Sequence, residues 1–201
     1  YSLSTAYDVS TGSYDSVSFA TGDNTSCGIR FNNDGTKLFI VGTSGDDVTE
    51  YTLSTAFDVS TASHVSGGEK DLSSQDLRPR DLTFNSDGTK MIVVGDAGET
   101  IEEYDLSTAY DVSTASHDSS LDVSGQEQTP AAIEFSPDGR YLYFVGGGYV
   151  FSGKGNVTYL GQIELNQNFL SQEGAYKVRL QIQWPSLQNQ FGFDNQEGDW
   201  T

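Results

Sequence analysis

The sequence predicts an all-β protein built from tandem antiparallel units of four strands each. Three observations support this prediction: two sequence blocks recur in step, apolar residues alternate with a period of two within each unit, and Asp-Gly pairs separate the alternating segments. A period of two is that of a β-strand, whose side chains point alternately to opposite faces. Units of roughly 50 residues with four strands have the size of blades in a β-propeller, where stacked sheets bury one another's faces.

The recurring blocks define the unit. The first block reads YSLSTAYDVSTGSYD from Tyr1, YTLSTAFDVSTASHV from Tyr51 and YDLSTAYDVSTASHD from Tyr104. The second reads CGIRFNNDGTKLFIVG, RDLTFNSDGTKMIVVG and AAIEFSPDGRYLYFVG. A weaker fourth copy of the first block begins at Ile163. Such self-similarity is the signature of a repeat architecture.

Each unit is predicted to contain strands A, B, C and D in chain order. Strands A and B flank the Asp-Gly pair, a tight-turn signal because glycine tolerates a positive φ. A glycine closes strand B, at Gly42, Gly95 and Gly146, and strand C follows it. The LSTAYDVSTAS segment then turns into a short outer strand D.

These units divide the chain into five segments. They are a partial blade at 1–25, blades at 26–78, 79–129 and 130–176 (the last with a loop insertion), and a non-repeat tail or start of another module at 177–201. Closed propellers typically need about four to eight blades. Three complete blades therefore predict a fragment of a longer chain, completion by another subunit, or tail strands that stand in for a blade.

The repeat resembles the YVTN or lactonase-type β-propeller repeat. The shared pattern is an apolar strand with Phe, then Ser/Asn-x-Asp-Gly, a bulky strand ending in Gly, and a Val/Ile-x-x-Tyr-x-Leu strand. The longer signature LSTAYDVSTAS resembles tandem repeats of marine phage virion proteins and environmental bacterial surface proteins. The first resemblance implies a propeller scaffold, and the second implies an extracellular or virion location.

Composition excludes some classes of partner. The chain of 201 residues carries 29 acidic and 10 basic side chains, a formal charge of −19, and its few cations are scattered. Nucleic-acid binding needs clustered Lys and Arg, so we expect no nucleic-acid partner. No apolar run reaches the roughly 18 to 20 residues of a membrane-spanning helix. The acidity suits a saline habitat, and the lone Cys27 predicts a small buried hydrophobe.

The search for catalytic chemistry nominates no residue. The Asp-Gly turns fail the EF-hand spacing because valine occupies the position of the bidentate Glu. His64 and His117 occupy one repeat position, which Tyr14 and Tyr176 fill in other copies, so we interpret them as outer-strand residues. There is no G-x-S-x-G or phosphate-binding glycine motif. We therefore expect no catalytic residues, no metal and no cofactor.

Two features stand out as candidate binding sites. The enlarged third loop, 146–156, carries Tyr149, Phe151 and Lys154, and aromatic residues in a loop often mark a contact surface. They could equally tuck over the blade edge. Arg78 and Arg80 lie in the connection that approaches the propeller axis, where they could bind an anionic ligand or sugar. The alternative is that they pair with Asp76 or Asp81.

These observations predict a non-enzymatic structural or binding propeller of an extracellular or virion assembly, most concretely a phage tail or virion component. Its expected partners are other protein subunits and a cell-surface receptor or glycan. A carbohydrate-binding or adhesion module of a bacterial surface protein is the first alternative. A lactonase-like hydrolase is the second.

Overall fold

The structure, a computed structural model, describes residues 1–147 and 160–164. The only helical segments among them are three 3-10 turns, and none is a candidate to cross a membrane. The strands are β1 (Ser2–Leu3), β2 (Gly12–Ser13), β3 (Ser26–Phe31), β4 (Lys37–Gly42), β5 (Asp47–Leu53), β6 (Ala62–Asp71), β7 (Pro79–Phe84), β8 (Lys90–Gly95), β9 (Thr100–Leu106), β10 (Ala115–Asp122), β11 (Pro130–Phe135), β12 (Tyr141–Gly146) and β13 (Leu160–Glu164).

The strands form four antiparallel sheets in which chain neighbours pair. The order β3-β4-β5-β6 makes the first blade, β7-β8-β9-β10 the second, and β11-β12-β13 the described part of the third. Strands β1 and β2 form a separate N-terminal hairpin. The sequence prediction of an all-β fold with four-stranded blades of a β-propeller is confirmed.

The turn between the first two strands of each blade is built by the Asp-Gly pair. Gly35, Gly88 and Gly139 have φ values of 72°, 73° and 67°, which only glycine adopts readily. In the first blade, the Asp34 carboxylate accepts hydrogen bonds from the backbone N–H and the hydroxyl of Thr36, at 2.9 and 2.5 Å. The predicted tight turns are therefore confirmed.

The repeated YDVST and FDVST segments form three turns of the same geometry. Each has a residue at positive φ, namely Tyr7, Phe57 and Tyr110 at 63°, 61° and 56°. The following Asp accepts a hydrogen bond from the Ser two residues later and begins a 3-10 turn. The outer strands that follow are longer than expected, with 10 residues in β6 and 8 in β10.

The core lies between the blades. Phe39, Val41 and Val48 of the first blade pack against a matching surface of the second, which includes Leu82 and Met91, and all five are fully buried. A second cluster lies between the second and third blades, where Val94, Ile133 and Phe144 are buried. Because each sheet is too thin to bury a core alone, adjacent blades supply one another's apolar cover.

Candidate functional site

The inner strands β3, β7 and β11 of the three blades lie side by side. Each has a β-bulge at the same repeat position, so that Cys27, Arg80 and Ala131 fall outside the regular pairing. A bulge redirects the extra side chain and is common next to functional sites. We call the bulged ends of these strands the loop end, and the ends at the Asp-Gly turns the turn end.

Arg78 and Arg80 meet at the loop end on one carboxylate. Arg78 Nε lies 3.0 Å from Asp96 Oδ1, and Arg80 Nη2 lies 2.6 Å from Asp96 Oδ2. Hydrogen bonding to Asp96 raises the pKa of Arg80. The expected pairing with Asp76 or Asp81 is wrong, because Asp96, directly after β8, is the carboxylate that faces the bulge.

Asp76 has a different role at the loop end. It is buried, and its carboxylate accepts hydrogen bonds from the backbone N–H groups of Arg78 and Gly98, at 2.6 and 2.7 Å. Gly95 makes room for it, since a Cβ there would lie 2.3 Å from the Asp76 carboxyl carbon. Asp76 thus ties two loops together and is not available to pair with Arg78.

Cys27 is exposed, so the expectation that it is a buried hydrophobe is wrong. Its thiol donates to the Thr25 carbonyl at 3.3 Å, and Sγ lies 4.0 Å from Arg80 Nη1. The physical reason is its bulge position at the first residue pair of β3. The bulge turns the side chain away from the packed surface between blades.

Arg30 connects three blades near the turn end. Its Nη2 donates to the Ile133 carbonyl at 3.1 Å and lies 3.2 Å from Glu134 Oε2 and 3.6 Å from Asp81 Oδ2. Its Nε is buried and has no hydrogen-bond partner among the described residues. Arg30 therefore brings a guanidinium with unused donor capacity next to two carboxylates.

Asp81 and Glu134 differ in environment. Asp81 accepts from the backbone N–H groups of Leu82 and Ile133, at 2.9 and 3.1 Å, and its side chain is only 16% exposed. Gly28 of the first blade permits this approach, because a Cβ there would lie 2.8 Å from Asp81 Oδ1. The Glu134 side chain is 68% exposed and has contact with Arg30 alone among the described cations. Asp81 is held in place, whereas Glu134 is open to solvent.

An open cleft of about 200 Å³ lies beside this cluster. It combines charged, aromatic and amide side chains, a composition that suits a small polar ligand. Its lining residues are Arg30, Phe31, Asn33, Thr83, Phe84, Asn85, Ser86, Tyr110 and Glu134. Tyr110 comes from the turn after β9 of the second blade. The cleft is therefore built mainly where the first and second blades meet, and Glu134 of the third blade completes its wall.

The two histidines lie on the outer strands β6 and β10, as expected. His64 Nε2 lies 2.6 Å from Glu69. His117 Nε2 lies 2.7 Å from the buried Glu102 and 3.2 Å from the Ser120 hydroxyl. A catalytic triad uses the two ring nitrogens separately, so one nitrogen shared by Glu102 and Ser120 does not make a triad. Among the described residues, no group of His, Cys, Asp and Glu has metal-binding geometry.

The residues of the cleft were not among those predicted from the sequence. One repeat position of the second block carries side chains of different charge, namely Arg30, Thr83 and Glu134. This variation in charge on an inner strand could have indicated a functional position. The predicted loop residues Tyr149, Phe151 and Lys154 lie outside the described residues, as do the boundary at 176 and the tail 177–201. The structure therefore places two of the five predicted binding residues, Arg78 and Arg80, and brings them together.

Solved structures share this fold. Two are described as candidate 6-phosphogluconolactonases, from Bacteroides uniformis and Bacteroides fragilis, each with 16% identity and TM-scores of 0.52 and 0.54. A protein from Lactobacillus plantarum matches with 19% identity and a TM-score of 0.54. The match covers 76–78% of this chain but only 39–41% of theirs, so the chain spans well under half of their length. No protein-family model and no curated protein matches the chain.

These comparisons correct two expectations from the sequence. The lactonase-type propeller fold is confirmed, but nothing in them supports a resemblance to phage or marine repeat proteins. The expectation of a non-enzymatic phage-tail or virion component is wrong, because the named structures that share the fold are described as lactone hydrolases. For the same reason the expectation that the protein is not an enzyme is contradicted.

Proposed function

We propose that this chain is part of a lactone hydrolase of β-propeller fold, with the cleft beside Arg30 as its substrate site. The observation that carries the proposal is the pairing of Arg30 with the exposed Glu134 at the cleft wall, at 3.2 Å. Ester hydrolysis needs a group that accepts a proton from water and a group that stabilises the developing oxyanion. The carboxylate and the guanidinium supply these two functions.

The proposed reaction opens the lactone ring. A water molecule attacks the ring carbonyl while Glu134 takes its proton, and Arg30 stabilises the negative charge on the carbonyl oxygen. When the bond between the carbonyl carbon and the ring oxygen breaks, Glu134 returns the proton to that oxygen. The product is an open-chain hydroxy acid, and no oxidant or cofactor is consumed.

The remaining cleft residues suit a sugar-like lactone. Phe31, Phe84 and Tyr110 offer apolar faces, and the amides of Asn33 and Asn85 offer polar groups nearby. This mixture of aromatic and hydrogen-bonding side chains is typical of small-ligand sites. The names of the structural neighbours supply the lactone class, and the residues named here supply the means of binding it.

A pH-stat assay with glucono-δ-lactone, corrected for spontaneous hydrolysis, tests the proposal. Glu134→Gln removes the proposed base and is expected to lower kcat/KM about 100-fold or more, and Arg30→Met is expected to lower it by a similar factor. Glu69→Gln, on the outer strand β6, is the matched control and should leave the rate unchanged. Equal activity of Glu134→Gln and the unmodified protein would reject the proposed base.

The second candidate is a sugar-binding module that uses the same cleft without hydrolysis. The three aromatic side chains favour it, because aromatic faces alone can hold a sugar ring. Calorimetry with the ring-opened acid and with a hydrolysis-resistant lactam analogue separates the two candidates. Binding that Phe84→Ala abolishes, with no turnover of the lactone, would favour the binding module.

A further inference from the structure

Asp81 occupies a repeat position at which the other two blades carry small residues. Gly28 of the first blade and Ala132 of the third blade hold the same place on their inner strands. Those strands form with the same β-bulge and the same pairing pattern as the strand that contains Asp81. The blade fold therefore does not require a carboxylate at this position, and we looked for its role in the contacts that it makes.

The Asp81 carboxylate is fixed by the backbone of two blades. Its Oδ1 accepts a hydrogen bond from the N–H of Leu82, and its Oδ2 accepts one from the N–H of Ile133 in the third blade. The same Oδ2 lies 3.6 Å from Nη2 of Arg30 in the first blade. Because two backbone groups hold the carboxylate, its position does not depend on its contact with Arg30.

Arg30 has one fixed and one exposed carboxylate beside it. Its Nη2 lies 3.1 Å from the Ile133 carbonyl and 3.2 Å from Glu134 Oε2. The Glu134 side chain is 68% exposed, whereas that of Asp81 is 16% exposed. An ion pair with an exposed side chain holds its partner only weakly, because that side chain keeps its conformational freedom. Asp81 and the Ile133 carbonyl are therefore the groups that can fix the guanidinium.

We propose that Asp81 is a positioning residue that holds the Arg30 guanidinium where the oxyanion of the lactone forms. This inference rests on the proposed lactonase reaction. In that reaction Glu134 becomes neutral when it takes the proton from water, so its ion pair with Arg30 is lost just as the carbonyl oxygen gains charge. Asp81 takes no part in the proton transfer, so its contact persists. A group that is already in place stabilises the transition state without a cost of reorganisation.

Steady-state kinetics with glucono-δ-lactone test the proposal. Asp81→Asn keeps the size of the side chain and removes its charge. It is expected to lower kcat about 10-fold or more with little change in KM, because the oxyanion exists only in the transition state. Asp81→Ala copies the residue of the third blade and serves if the Asn variant does not fold. An unchanged kcat, while Arg30→Met is impaired, would overturn the proposal.

Asp76→Asn is the matched control for a purely structural role. Asp76 is also a buried aspartate of the second blade that accepts hydrogen bonds from two backbone N–H groups, but it lies at the loop end and does not line the cleft. Both variants should lower the midpoint of thermal unfolding, and only Asp81→Asn should lower kcat. Equal falls in kcat would mean that Asp81 acts through stability alone, and would also overturn the proposal.

The position of Arg30 can be measured without turnover. Its Nε is buried, so the Nε–H should exchange slowly with water in an NMR spectrum of isotope-labelled arginine, where Arg30→Met identifies its signal. Asp81→Asn should speed this exchange at least about 10-fold, and Asp76→Asn should not. An unchanged exchange rate would overturn the proposal even in an active enzyme. Faster exchange in a protein that hydrolyses no lactone would instead reject the proposed function and leave Asp81 as the residue that positions Arg30.

Discussion

The turn of the second blade and the turn of the N-terminal hairpin have the same conformation but opposite environments. Both begin with a Tyr at positive φ and continue through an Asp-capped 3-10 turn. Val112 in the second blade is fully buried, while Val9 in the hairpin is 85% exposed. The conformation is therefore set by the local sequence, and the burial of Val112 is set by the first blade, which packs against its turn.

The largest expected effect contrasts the two inner-strand residues at one repeat position. Leu82→Ala empties space between blades and is expected to lower the free energy of unfolding by about 2–5 kcal/mol. Ile29→Ala, at an exposed site, is expected to cost less than about 1 kcal/mol. Chemical denaturation of both variants measures the difference. Equal losses would mean that Ile29 is covered in solution and would contradict the difference in burial.

The next contrast concerns two lysine–glutamate pairs. Glu50 is buried and is paired with Lys37. Glu50→Ala therefore leaves the Lys37 ammonium without its carboxylate and the Val112 N–H without its acceptor. We expect a loss of about 2–3 kcal/mol, because Lys37 can partly regain water. Glu103→Ala removes the equivalent but more exposed partner of Lys90 and should cost about 1 kcal/mol or less. Thermal unfolding in parallel checks the order.

A smaller contrast separates two glycines with nearly the same positive φ. Gly88 and Gly139 both have positive φ, but a Cβ at Gly88 would lie 2.3 Å from the Tyr110 ring and one at Gly139 would meet nothing within 4 Å. Gly139→Ala is expected to cost about 1 kcal/mol through its backbone alone. Gly88→Ala should cost more, because the ring must also move. Equal costs would show that Tyr110 does not rest on Gly88.

The smallest expected effect is a dependence of stability on pH that comes from Asp47 in the first blade. Burial, and then the nearby Asp23, Glu69 and Asp71, raise the pKa of Asp47 above 3.8. The folded state then holds its proton more tightly than the unfolded state, so stability falls as the pH rises from 3.8 through the raised pKa.

Asp47→Asn removes this loss of stability at higher pH. It should stabilise the protein at neutral pH by less than about 1 kcal/mol, because Asp47 is partly solvated. It should also flatten the fall in stability in that pH range. Unfolding midpoints measured from pH 4 to pH 7 test both effects. The second blade has Thr100 at this position and offers no such titration. A midpoint that falls by the same amount in the variant would assign the dependence to another group.

Much of the fold was predictable because its signals are local. The Asp-Gly turns, the period of two in β3 and β4, and the recurrence of the second block specify strands and turns within a few residues of one another. The length of the outer strands was not predictable, since the polar residues of β6 and β10 carry no apolar alternation. The blade order followed from the repeat itself.

The candidate site was less predictable because it depends on contacts between blades. Arg30 reaches Glu134 across the strand of the second blade, at a separation of 104 residues. Arg78 pairs with Asp96 rather than Asp76, because the buried Asp76 carboxylate already accepts hydrogen bonds from the backbone of two loops. The sequence does not show this arrangement. The exposure of Cys27 depends on a β-bulge, which no residue of the block predicts.

The contact from the Val112 N–H to Glu50 gives assembly a direction along the polypeptide. The receiving carboxylate belongs to the blade that leaves the ribosome first, and the inserted turn belongs to the blade that follows. Each new blade can therefore dock on an already folded blade as soon as its own turn forms, and that turn needs only its local sequence. A chain synthesised from its amino terminus can add blades one at a time in their order of emergence, without waiting for a distant partner.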